Sequence, residues 1–204
     1  PAMQQLFLEL PVDNLTTLPF RPLLKQTHIT RSNDYVPSWE GARLLTVPDI
    51  AAYVGADTVA CILATGMDQS EKLTLLVDIG TNGEMVLGNK DRMIACSTAA
   101  GPAFEGAKIS CGMRGAAGAV DHVWLEGGEI RYHTIEDAPP KGLCGSGLLD
   151  LVAALLESGD MDGTGRLAAG DRYDIGDTGV YLTQKDVREV QLAKAAMAAG
   201  LRLM

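Results

Sequence analysis

Residues 73–77 form a short, nearly all-apolar run ending in Asp78-Ile79-Gly80-Thr81-Asn82-Gly83-Glu84, and a second strand-like run, 84–87, begins at once. A run so short and apolar predicts a strand in a sheet buried on both faces. The immediate return leaves room only for a tight hairpin, and its turn carries a carboxylate, two glycines and a Thr-Asn pair. A third strand, 93–96, follows the polar turn Gly88-Asn89-Lys90-Asp91-Arg92. Residues 120–125 and 129–134 flank Glu126-Gly127-Gly128 and predict a further hairpin.

Helical spacing alternates with these strands. Met3, Leu6, Phe7 and Leu10 predict the end of a helix, after which the Pro-rich chain to about residue 46 reads as irregular or extended. Pro48 opens a short helical stretch that residues 55–58 interrupt, and it resumes over 59–64 with Asp57 or Thr58 placed as its cap. Leu148, Leu151, Val152 and Leu155 have the i, i+3, i+4, i+7 spacing of a packed helix entered from a glycine-rich loop at 142–147. Thr183 and Asp186 form a capping box, and Val187, Val190, Ala193, Met197 and Leu201 then mark the core face of a helix to the chain end. Residues 160–177 are polar and Gly-rich and read as a surface loop. The expected fold class is α/β: a mixed sheet containing two hairpins, with flanking helices.

Composition narrows the function. With 204 residues and 47% hydrophobic residues, the chain is long enough for a sizeable core, at a mean hydropathy of +0.08. A net charge of -9 without a Lys/Arg run opposes a nucleic-acid backbone, so nucleic acid is not an expected partner. No stretch approaches the roughly 20 apolar residues of a membrane span, and the first residues lack a signal-peptide pattern, so a soluble cytoplasmic protein without a membrane partner is expected. Cys61, Cys96, Cys111 and Cys144 are scattered and form no C-x-x-C pair, which reads as small buried thiols rather than a metal cage.

The chemistry concentrates at 78–84. A strand ending in Asp-x-Gly-Thr and turning through another glycine can point backbone N–H groups at an anion. Asp78 would hold the water shell of Mg2+ or orient an attacking water, and Thr81 and Asn82 would donate to phosphate oxygens. An ordinary Asn-Gly hairpin turn fits the same residues. At 142–147, glycines and Ser146 before a helix allow a close approach to an anion, or equally a tight strand-to-helix turn with Ser146 as the N-cap. The small residues of 97–106 fit either a cleft wall or close backbone packing. Glu105 and Arg114 are polar residues near this cleft without an assigned role.

The order of these blocks carries a resemblance. Residues 75–88 (LLVDIGTNGEMVLG) resemble the second phosphate motif of the superfamily of acetate and sugar kinases, heat-shock ATPases and actin, whose actin-like fold is also called ribonuclease H-like. Residues 55–60 (GADTVA), 95–113 (ACSTAAGPAFEGAKISCGM), 142–152 (GLCGSGLLDLV) and 186–196 (DVREVQLAKAA) resemble blocks of the reductive activators of corrinoid proteins. That family joins a ferredoxin-like [2Fe-2S] domain to an actin-like ATPase that returns Co(II) corrinoid to Co(I). The resemblance implies ATP and Mg2+ as cofactors, with the [2Fe-2S] cluster in the parent protein and not in this chain. It implies a corrinoid protein or methyltransferase as partner, and a homodimer as one assembly.

On the same carry-over Asp78 serves Mg2+ and water, Gly80, Thr81, Asn82 and Gly83 bind the phosphates, and Gly145 and Ser146 lie near the nucleotide. Residues 1–70 would then be the remainder of a neighbouring subdomain and connecting helix, and 71–204 the ATP-binding subdomain of a two-subdomain ATPase. Against the full family pattern the sequence lacks an upstream Asp-x-Gly-Thr, a C-terminal strand with its glycine pair, and clustered cysteines. One wall of a cleft cannot position a phosphoryl group, so weak or undetectable ATPase activity is expected of the chain alone. A small-molecule sugar or carboxylate kinase and a noncatalytic docking module are the rival readings.

Overall fold

The computed structural model describes all residues, Pro1–Met204. They divide into two compact units: Pro1–Asp78 with Glu84–Ser97 and Met204, and Ile79–Gly83 with Thr98–Leu203.

The first unit begins with helices α1 (Ala2–Phe7) and α2 (Asp13–Thr16). The predicted apolar face of the first helix is wrong, because Met3 and Leu6 are exposed while Gln5 and Leu8 are buried. Gln5 repays its burial with hydrogen bonds: its amide oxygen accepts the Leu23 N–H at 2.9 Å and its nitrogen donates to Asn14. Strands β1 (His28–Arg31) and β2 (Arg43–Thr46) pair antiparallel, where the sequence indicated only extended chain.

Helix α3 (Ala56–Thr65) corrects the reading of the next stretch. Residues 48–55 are not helical, and neither Asp57 nor Thr58 is its cap. Gly55 is the N-cap residue, and the Asp49 carboxylate accepts the Ala56 N–H at 3.1 Å from outside the helix. At the other end Gly66 is left-handed (φ +66°), and the Gly66 and Met67 N–H groups donate to Leu63 and Ile62. This Schellman closure turns Met67 back onto Ile62, and both enter a small core with Val86.

Strands β3 (Thr74–Ile79), β4 (Gly83–Gly88) and β5 (Met93–Thr98) form one sheet in that order. β3 is not buried on both faces. Leu75, Val77 and Ile79 are exposed, whereas Leu76 packs against Ile62, Met67 and Val86. The pleat sends alternate residues to opposite faces, and one of them is left uncovered.

The second unit is built on β6 (Ala119–Glu126), β7 (Glu129–Thr134) and β8 (Gly142–Leu143), in the order β7-β6-β8. β6 pairs antiparallel with β7 and parallel with β8, so this sheet is mixed. The two predicted hairpins thus lie in separate sheets. Helix α4 (Gly145–Ser158) lays Leu148, Leu151 and Leu155 into a core with Val120, Val123 and Leu143. Burying each such side chain is worth roughly 1.5–3 kcal/mol.

Residues 160–177 are more than a surface loop: Met161, Leu167 and Ile175 are all buried in the same core. Within and beyond them, β9 (Arg172–Asp174) and β10 (Tyr181–Thr183) pair antiparallel. Helix α5 (Gln184–Leu203) starts at the predicted capping box, with the Thr183 N–H donating to Asp186 at 2.8 Å and the Asp186 N–H to Thr183 Oγ1 at 3.1 Å. Val187, Val190 and Ala193 are buried as the spacing predicts and Met197 packs beside them, but Leu201, beyond the reach of this core, is exposed. No helix is long and apolar enough to cross a membrane. The four cysteines are free thiols, with Cys144 buried.

Candidate functional site

The turn between β3 and β4 places Thr81 and Asn82 on the surface and Gly83 in the interior. Each glycine has its own cause. A side chain at Gly83 would meet Thr98 Oγ1 at 2.9 Å and Met197 Cγ at 3.2 Å, so this residue is small to admit its neighbours in the second unit. At Gly80 an added Cβ would meet only the Asn82 carbonyl, at 3.6 Å, which leaves the approach to this backbone open. The Gly80 N–H is engaged, donating to the Asn82 carbonyl at 3.0 Å, and it is therefore not an anion donor in this conformation.

Thr81 reaches across to a residue that sequence left without a role. Its hydroxyl donates to the Glu105 carboxylate at 2.5 Å. Glu105 ends a 3-10 turn, Pro102–Glu105, whose Ala103 and Phe104 are buried in the core, so its backbone is fixed from beneath. Phe104 and Glu105 line a cavity of about 380 Å3 together with Ala107, Met113, Arg114, Gly115 and Gly145. A cavity of this size lies within the roughly 300–1,000 Å3 of small-ligand clefts.

At the start of α4 the structure separates packing from binding. An added Cβ would lie 2.0 Å from the Phe104 carbonyl at Gly145 and 2.0 Å from the Val120 carbonyl at Gly147, so both glycines are required by backbone contact within the unit. The N-cap of α4 is Cys144, without a side-chain cap bond; Ser146 is not the cap. The Ser146 hydroxyl donates instead to the Asp121 carbonyl at 2.7 Å. Close packing also explains Gly112, whose Cβ would lie 1.9 Å from the Gly106 carbonyl.

Asp78 precedes this loop in the chain and belongs to the first unit, as does Glu84. Burial pushes the Glu84 carboxyl up, the Ser97 hydroxyl that donates to it at 2.9 Å pulls the other way, and the charges of Asp57 and Asp78 raise it further. The second unit thus brings Thr81, Glu105, Arg114 and Gly145 around one loop and cavity. The Thr81–Glu105 pairing had no local sequence signal, because the two residues are 24 positions apart.

The protein-family comparison matches residues 72–204 to the C-terminal domain of RACo, the ASKHA domain, and residues 1–70 to the RACo middle region. The chain is 36% identical to the corrinoid activation enzyme RamQ of Eubacterium limosum over 230 residues, covering 100% of this chain and 38% of that protein. It is 32% identical over 179 residues to the [Co(II) methylated amine-specific corrinoid protein] reductase of Methanosarcina barkeri, covering 77% of this chain and 33% of that one. Among solved structures, a reductive activator for corrinoid, iron-sulfur protein superposes with a TM-score of 0.84 at 34% identity, over 98% of this chain and 35% of that chain. The chain therefore spans between a third and two fifths of the length of these relatives.

Proposed function

This chain belongs to the family of reductive activators of corrinoid proteins, and from that membership we propose that it supplies one wall of an ATP site that drives the return of a Co(II) corrinoid to Co(I). The observation that carries the reading is the bond from Thr81 to Glu105, which holds the phosphate-type loop beside a cavity lined by Arg114 and Gly145. The names of the relatives favour corrinoid activation over a small-molecule kinase.

The residues present suit a nucleotide. Gly80 leaves its backbone open to approach, Thr81 and Asn82 expose a hydroxyl and an amide, and Arg114 offers a cation on the cavity wall. In this reading Thr81, Asn82 and Gly83 hold phosphate oxygens, Asp78 holds Mg2+ through water, and Gly145 and Ser146 flank the nucleotide. ATP hydrolysis would supply the driving force for an otherwise unfavourable one-electron reduction, the electron coming from a [2Fe-2S] cluster elsewhere in the parent protein. Residues 1–70 would serve as the remainder of a neighbouring subdomain and 71–204 as the ATP-binding subdomain. The partner would be a cytoplasmic corrinoid protein or methyltransferase, and the activator a homodimer.

The test is calorimetric titration of Mg-ATP into the full-length protein and its Asp78→Ala variant. Binding that weakens at least about tenfold in the variant supports the assignment, whereas no binding to the full-length protein overturns it.

A further inference from the structure

We propose that Glu105 is a built-in competitor for the Thr81 hydroxyl, so that the loop rejects a bare phosphate oxyanion and accepts one only when a cation screens this carboxylate. The inference rests on the nucleotide reading above and deepens it, by naming the residue that sets the charge state of the accepted ligand.

Proton counting is the first step. A threonine hydroxyl has one hydrogen to donate, and Thr81 spends it on Glu105 at 2.5 Å. A phosphate oxygen that takes this donor must break that bond. The second step is electrostatic. The incoming anion would then face the carboxylate it displaced, with like charges a few ångströms apart at a surface whose effective dielectric is well below that of water. The third step is mechanical. The turn bearing Glu105 cannot retreat as a unit, because Ala103 and Phe104 are buried and Gly145 packs directly on the Phe104 carbonyl. Only the exposed Glu105 side chain can swing, and it swings within a cavity of about 380 Å3 that it lines itself.

A divalent cation changes the sign of this encounter, since a carboxylate and a phosphate that repel one another can both face the same ion. Arg114 lies on the same cavity and is absent from the ion pairs of this unit. It can meet the anion from elsewhere on the wall, but it does not free the Thr81 proton. Glu105 thereby acts as a specificity-determining residue, and removing its charge should help the metal-free anion most.

The experiment is titration of inorganic pyrophosphate, with Mg2+ and with EDTA, into the full-length protein, Glu105→Gln, Thr81→Val and the double variant. Far-UV circular dichroism would check that each variant folds. In the wild type, metal-free pyrophosphate should bind about tenfold or more weaker than its Mg2+ complex, and in Glu105→Gln that gap should shrink because the metal-free form binds about tenfold tighter. The gain should be smaller in the Thr81→Val background, because the two residues act through one bond. If the Mg2+ complex binds the wild type and Glu105→Gln leaves metal-free binding unchanged, the competitor role is overturned while the nucleotide reading stands. If pyrophosphate and Mg-ATP bind none of the proteins, both are overturned.

Discussion

Asp186, in the first turn of α5, is fully buried and accepts the backbone N–H of Ser110 at 2.9 Å, 76 positions away in the chain. The same carboxylate takes the Ser110 hydroxyl at 3.1 Å and the Thr183 N–H and hydroxyl at 2.8 and 2.7 Å. One side chain therefore caps a helix and ties the Gly-rich segment before β6 to it. Asp186→Ala strands two backbone donors and should cost roughly 3 kcal/mol. Asp186→Asn, which keeps an acceptor, should cost less. Urea unfolding midpoints check both.

The entry to α4 makes a steric prediction. Gly145→Ala and Gly147→Ala each drive a methyl group to 2.0 Å from a carbonyl oxygen of the same unit, and because that atom is backbone it cannot rotate away. Each should destabilise by roughly 2–3 kcal/mol or more, beyond the ordinary range of surface substitutions. Thermal unfolding monitored at 222 nm reads the effect.

Gly80→Ala should behave oppositely. Its new methyl meets only the Asn82 carbonyl at an ordinary 3.6 Å, so stability should change by no more than about 0.5 kcal/mol. On the nucleotide reading, Mg-ATP affinity of the full-length protein should nevertheless fall, since the methyl would stand where the phosphates approach the backbone. A parallel loss of stability and affinity would contradict this division between the glycines.

His133 and Asp121 provide a pH test. Their bond, 2.7 Å from Nδ1 to Oδ1, raises the His133 pKa above its usual 6.5 and lowers that of Asp121 below its usual 3.8. The histidine contribution is complete below about pH 6.5 and disappears as pH rises through the folded-state value. The aspartate contribution is present above its unfolded pKa and is lost as pH falls through its lowered one. Both are therefore present between about pH 4 and 6.5. Asp121→Asn should bring the His133 titration, followed by NMR, back toward its ordinary value.

Glu84 follows the same sense as His133, in a more acidic range. Its raised pKa means that the folded state disfavours its charge, so this contribution to stability is fully present below the unfolded value near 4.5 and is lost as pH rises through the raised folded-state value. Asp78→Asn removes one of the two carboxylates that push it up and should lower the Glu84 pKa. Carboxyl-detected NMR titration measures the shift, and an unchanged value would separate the two residues.

Some of this protein follows from neighbours in the sequence. The hairpin over residues 119–134, the Thr183–Asp186 box and the stripe of Leu148, Leu151 and Leu155 depend on backbone sterics and on spacings of two to four residues, so they are legible without a fold. The tight turn joining β3 to β4 is legible for the same reason. Tertiary structure decided the rest. It uncovered one face of β3, buried Met161, Leu167 and Ile175 inside a polar stretch, and gave the first N–H of α3 to Asp49. It also set Gly145 and Gly147 against carbonyl oxygens and the Thr81 hydroxyl against Glu105. Each of these outcomes joins residues distant in the chain, and the energies that choose them, burial and the pairing of polar groups, exist only once the partners have been brought together.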